Sequence, residues 1–170
     1  MEDSSDIPSL FEKLDGFENY HGLGQNVLFA DTAGNIGYYL VMSVPERKDE
    51  TPFVANRVLD GTKSDFDWTG KMVPLRSLPK SLNPKKGYIV TANGRQTSDH
   101  ARLDHGASVN SPARMIRIDE VLRDGIANGR KFTLEDMGAI QQDVVDVVAR
   151  RMAPKIASIS QDVSHHLTKE

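Results

Sequence analysis

Cysteine is absent from this 170-residue chain, which excludes disulfides, thiolate nucleophiles, cysteine-ligated zinc and iron–sulfur chemistry. Charge of one sign is also missing. Twenty-one Lys and Arg against 24 Asp and Glu give a net charge of -3, too balanced for the basic stripe that phosphate binding needs. Nucleic acid and anionic membranes are therefore not expected as partners. No apolar run approaches the roughly 20 residues that span a bilayer. The first residues, MEDSSD, lack the basic, apolar and small-residue order of a secretion signal. The chain as written is expected to be soluble, with its compartment left open.

Two familiar catalytic arrangements are lacking as well. There is no Gly-x-Ser-x-Gly elbow, and no serine at a chain start where its own amine could act as base. Internal repeats are not visible either. A composition of 26% charged and 38% hydrophobic residues fits one domain or part of one, with the core confined to patterned stretches.

Those stretches predict specific elements. Ile7, Leu10, Phe11 and Leu14 share a face of a short amphipathic helix over 7–17, and Pro8 suits its first turn. Two apolar runs, 26–30 and 36–42, flank Asp31-Thr-Ala-Gly-Asn35 and read as a β-hairpin. Residues 45–86 hold most of the prolines and many charges without a sustained period, as in a long surface excursion. Gly87 to Ala92 is β-rich and bounded by Asn83-Pro84 and Asn93-Gly94, so it predicts a strand that stops abruptly. Ser111 and Pro112 open a helix whose stripe of Met115, Ile118, Leu122 and Ile126 runs until Gly129. From Thr133 a second capped helix, with Met137, Ile140, Val144, Val147 and Val148 in phase, extends to about Arg151. Pro154 should kink or end it, with a turn or two more before a polar tail over 156–170. The class is α+β, with few strands to cover these apolar stripes.

Candidate chemistry is thin. Asp99-His100 and Asp104-His105 could supply metal ligands, but the spacing matches no compact ligand pattern, and a solvated polar loop is the better reading. His165-His166 reads as a frayed end, and Gly22-Leu23-Gly24 as a turn rather than a phosphate cradle. Asn93, where a strand stops, could aim its amide at a cleft as oxyanion donors do, although a turn-forming Asn before Gly94 is the simpler reading. Arg114 sits at the helix end that disfavours a cation and needs compensation there.

Taken together, the runs 25–39 (QNVLFADTAGNIGYY), 67–70 (DWTG), 78–93 (LPKSLNPKKGYIVTAN), 112–116 (PARMI) and 134–143 (LEDMGAIQQD) resemble the β-chain interior of the penicillin amidase (penicillin acylase) family. The resemblance covers roughly residues 20–155, and 1–170 would be one partial domain of that type. It implies a segment of a four-layer αββα sandwich belonging to an N-terminal-nucleophile hydrolase. In such enzymes a serine exposed by autocleavage attacks an amide while its α-amine, with a pKa near ~8, acts as base. By resemblance, Asn93 matches the side-chain donor to the oxyanion, and Arg114 the arginine that orients the site.

Two departures stand out. Gly94 replaces the second asparagine usual after the oxyanion residue, which could loosen the turn. The Ser-Asn-Asn start is also nowhere in the chain, so the resemblance implies a fragment that is inactive alone. The family's calcium is not assigned here: Asp104 lies near one ligand position, but the other ligands would precede Met1. Implied partners are the remaining parts of the same precursor and an acyl-amide small molecule, a β-lactam side-chain amide or an N-acyl homoserine lactone. The alternative is a non-catalytic binding or assembly module that keeps the fold.

Overall fold

The computed structural model describes residues 6–22, 24–48, 58–94 and 111–167, with side chains described to residue 160. They fall into two compact units, one made of residues up to Thr91, the other of Ala92–Gly94 together with the residues from Ser111 onward.

The first unit is a helix packed on a small sheet. Helix α1 (Ile7–Asp15) starts at Asp6, whose carboxylate accepts from the Ser9 amide while the Ser9 side chain bonds back to the cap residue. That reciprocal arrangement satisfies two otherwise orphaned donors. Strands β1 (Gln25–Ala30) and β2 (Ile36–Val41) form the expected antiparallel hairpin, Gln25 opposite Val41 and Ala30 opposite Ile36. The turn is built by Asp31: its carboxylate accepts from the Ala33 and Asn35 amides at 3.0 and 2.8 Å, and Gly34 takes a φ of +86°. The Asn35 side-chain amide bonds the same carboxylate, and with those backbone donors it holds Asp31 below the usual carboxylate range.

Helix α1 lies directly over β2. A Cβ on Gly37 would fall 2.9 Å from Ile7 Cγ2 and 3.0 Å from Phe11 Cζ, so the helix can seat only on a bare α-carbon. Ile7, Phe11 and Leu14 then bury against Tyr38, Tyr39, Leu40, Val44, Leu75 and Leu78. Phe11 meets Tyr39 edge to face, with centroids 5.2 Å apart, a geometry favoured by ring quadrupoles. The fully buried Tyr39 keeps its hydroxyl satisfied on Asp15 Oδ1 at 2.6 Å. Burial and that carboxylate push its ionisation well above the ordinary phenol value.

The segment expected to be a long surface excursion holds three strands among its described residues. β5 (Lys80–Leu82) adds to the hairpin antiparallel to β2, giving the order β1-β2-β5. β3 (Pro45–Arg47) and β4 (Trp68–Met72) pair separately, with the Arg47 guanidinium 5.7 Å from the Trp68 ring centroid. β3 and β4 are three and five residues long and carry a Pro and a Gly, and β5 is only three residues long, so alternation could not reveal them. Conversely, the strand expected over 87–92 joins no ladder among the described residues: Tyr88 to Thr91 run on without regular structure. Ile89 packs against the core. Its β-rich composition reports burial rather than pairing.

The second unit is helical. Helix α2 (Ala113–Ala127) has Pro112 at its cap position and no side-chain cap bond there; Ser111 Oγ takes only the Ala113 amide, at 3.4 Å. The helix ends as expected at Gly129, with φ +73°. There the Gly129 amide reaches Ile126 O and the Arg130 amide reaches Gly125 O, both at 2.9 Å, the paired bonds of a Schellman ending. Helix α3 (Leu134–Gln141) opens on a capping box between Thr133 and Asp136.

The single helix expected from 133 to about 151 is two. After α3 the chain leaves helical geometry at residues 142–146 and resumes as α4 (Val147–Leu167). The break has a local cause. Asp143 Oδ1 accepts from the Val145 amide, and Asp146 Oδ1 from the Val148 and Ala149 amides, all within 2.8–3.0 Å. Asp side chains thus capture backbone donors that a continuous helix would have used. Pro154, expected to kink or end a helix, lies inside α4. The surrounding residues are exposed, so water can take the carbonyl that proline leaves without a donor.

Candidate functional site

Asn93 and Arg114 come together within the second unit. The backbone of Asn93 is left-handed, φ +58°, a conformation that Asn tolerates better than most residues. Arg114 stands in the first turn of α2 and donates from Nη2 to Asn93 Oδ1 at 2.6 Å. Guanidinium has no acceptor, so the bonded end of the carboxamide must be its oxygen. The contact therefore fixes which way the amide is turned and leaves the Nδ2 hydrogens as the donor end. It also supplies the acceptor that a cation at the positive end of a helix needs.

Gly94 is buried, and a Cβ there would lie 2.7 Å from Met115 Sδ. The thioether occupies the room a side chain would take.

A cleft of about 510 Å³ lies beside Arg114, lined among others by Arg117, Ile118, Met137, Ile140 and Asp143. Its largely apolar wall with a few polar groups suits an apolar group bearing a hydrogen-bond acceptor. Ion pairs that sequence reading missed tie this unit together, the first of them in the cleft wall. Arg117 clamps Asp143 through Nε at 3.0 Å and Nη2 at 2.7 Å, and Arg150 grips Glu120 at 2.7 Å. Arg117 also approaches Glu120 at 3.7 Å. The hydrogen bond from Arg117, then the Val145 amide, holds Asp143 below its ordinary value, and the bond from Arg150 does the same for Glu120. The partners are 26 and 30 residues apart; the nearest sequence signal was Asp143 and Asp146 interrupting an apolar stripe.

Asp99, His100, Asp104 and His105 lie outside the described residues, as do the side chains of His165 and His166. Among the described residues no three His, Asp or Glu side chains gather where one metal ion could be held. Gly22 lies in irregular chain before β1 and donates its amide to Ser43 Oγ at 2.7 Å. No helix among the described residues is long and apolar enough to cross a membrane.

Comparison with known proteins matches this chain to one family. The family model described as penicillin amidase matches residues 8–169. The penicillin acylase 2 proenzyme of Pseudomonas sp. strain SE83 is 29% identical over 146 residues, 85% of this chain and 17% of the relative. The acyl-homoserine lactone acylase QuiP of Pseudomonas syringae pv. syringae strain B728a is 27% identical over 150 residues, 88% of this chain and again 17% of the relative. A thermostable penicillin G acylase from Alcaligenes faecalis superposes with a TM-score of 0.66 at 20% identity, covering 93% of this chain and 27% of that one. The chain thus spans about a sixth of the length of these curated relatives. With its family model matched from residue 8 to residue 169, the chain belongs to the penicillin amidase family.

Proposed function

We propose that this stretch is the oxyanion-side segment of an N-terminal-nucleophile acyl amidohydrolase, part of the β-chain and of a four-layer αββα sandwich completed by other parts of a longer precursor. Asn93 would donate from Nδ2 to the oxyanion formed when a serine attacks an amide carbonyl, and Arg114 would hold the carboxamide turned for that task. The observation that carries the reading is the 2.6 Å bond from Arg114 to Asn93 Oδ1, because an oxyanion donor must present its nitrogen end. The reaction would be hydrolysis of the carbon–nitrogen bond between an acyl chain and an amine. Substrates named by the relatives, a penicillin or an acyl-homoserine lactone, are the two candidate classes. The stretch contains no Ser-Asn-Asn segment, so by itself it would be inactive, with the nucleophile contributed elsewhere in the precursor.

A chromogenic phenylacetyl amide tests this directly. The 170-residue chain alone should give no turnover above buffer. Joined to a serine-bearing remainder of a family precursor, it should hydrolyse the amide, and Asn93→Ala should lower kcat by about 10²–10³, the usual cost of one oxyanion donor. Turnover by the chain alone, or an unaffected Asn93→Ala hybrid, would refute the reading.

A further inference from the structure

Arg114 and Met115 are neighbours in α2, and each meets one member of the adjacent pair Asn93 and Gly94. Arg114 bonds the Asn93 side chain. Met115 presses on the backbone of Gly94, where a Cβ would stand 2.7 Å from Sδ, 2.8 Å from Cε and 3.6 Å from Cβ of Met115. Glycine is the residue with the widest backbone freedom. Directly after a left-handed Asn93, an unconstrained glycine would let the turn sample many orientations, and the carboxamide would swing with it. Gly94 is instead buried under a partly buried thioether. A bulkier residue at position 94 would evict that thioether; a smaller one at position 115 would leave the turn uncovered.

We propose that Met115 is a positioning residue: by packing on Gly94 it fixes the backbone of the turn, so that Arg114 meets the Asn93 oxygen in one orientation. Gly94 and Met115 then work as a matched pair, no side chain opposite a long flexible one. This rests on the reading of Asn93 as the oxyanion donor for its catalytic meaning, but the packing can be tested without catalysis.

The experiment is nitrogen-15 NMR on the 170-residue chain, following the Arg114 guanidinium protons and the Asn93 side-chain amide, each assigned by loss in Arg114→Lys and Asn93→Ala. In the parent chain the Arg114 proton bonded to Asn93 should be shifted downfield and exchange slowly. Met115→Ala should abolish that signature while leaving helical circular dichroism unchanged, and Met115→Leu, which restores bulk, should recover it. Gly94→Ala should weaken the signature, and Gly94→Ala with Met115→Ala should regain part of it, because the new methyl fills space the thioether vacated. A signature untouched by Met115→Ala, or lost equally in Met115→Leu, would overturn the proposal. An unaffected Asn93→Ala hybrid in the amide assay would instead remove the catalytic role and leave the packing result standing.

Discussion

Gly37 and Gly138 both sit inside regular elements, yet the space around their α-carbons sets them opposite tasks. A methyl on Gly37 would press on Ile7 and Phe11 at 2.9–3.0 Å, whereas a methyl on Gly138 in α3 meets nothing within 4 Å. Gly37→Ala should therefore lift α1 from β2 and cost roughly 1–3 kcal/mol, the usual range for overpacking. Gly138→Ala should stabilise α3 by about 0.5–1 kcal/mol, because glycine gives up the most freedom in a helix. Amide hydrogen exchange in β2 and in α3 reads the two separately: protection should fall in the first variant and rise in the second. Neither outcome is visible in the sequence, where both are isolated glycines in apolar patterns. The candidate site was legible to a similar limit. The helix dipole argument asked for an acceptor near Arg114 and the family resemblance put Asn93 at the same site, but the fold shows that Asn93, 21 positions away, is that acceptor. Residue types gave the need; chain geometry supplied the partner.

At the scale of elements, what could be read was local chemistry. Asp31 and Gly34 marked the hairpin turn, Gly129 marked the end of α2, and Thr133 the start of α3, since each acts within a few residues of itself. What could not be read were contests between local and distant demands. Val144, Val147 and Val148 keep helical phase, yet Asp143 and Asp146 divert the backbone, and Arg117 on α2 holds Asp143 in place. β3, β4 and β5 depend on partners tens of residues away, which alternation within three to five residues cannot announce.

The ion pairs around the break give it a pH dependence whose sign follows from the carboxylates. Asp143 and Glu120 titrate below their ordinary values of 3.8 and 4.5, so the folded unit binds protons less readily than the unfolded chain. Their stabilisation is complete above about pH 4.5 and drains away as pH falls below 3.8 toward the lowered folded values. Acidification from pH 5 to 3 should therefore lower the thermal midpoint of the helical signal. Asp143→Asn keeps the shape but cannot titrate, so the variant should start less stable at pH 6 and lose less on acidification. Parallel curves for the two proteins would show that Asp143 is not a source of the dependence.

For the whole molecule, the decisive feature is apolar surface without a cover among the described residues. Val148, Met152, Ile156 and Ile159 of α4 are 50%, 45%, 60% and 62% exposed, and their spacing of four, four and three places them on one helix face. The sequence reading placed only Val148 of this row on a helix face, and where a polar tail was expected from 156, α4 carries the row onward. A continuous row of exposed aliphatic side chains is a surface that water disfavours and that isolated soluble chains seldom keep open. As a separate polypeptide the chain should therefore bury this face by meeting other copies of itself. Sedimentation velocity over a concentration series should show mass rising with concentration. Met152→Lys combined with Ile156→Lys should shift the distribution toward monomer with no loss of helical circular dichroism, since lysine favours helices about as well as the residues it replaces. Association that persists unchanged in the double variant would place the contact on another surface, because two buried ammonium groups could not be tolerated at a shared α4 interface.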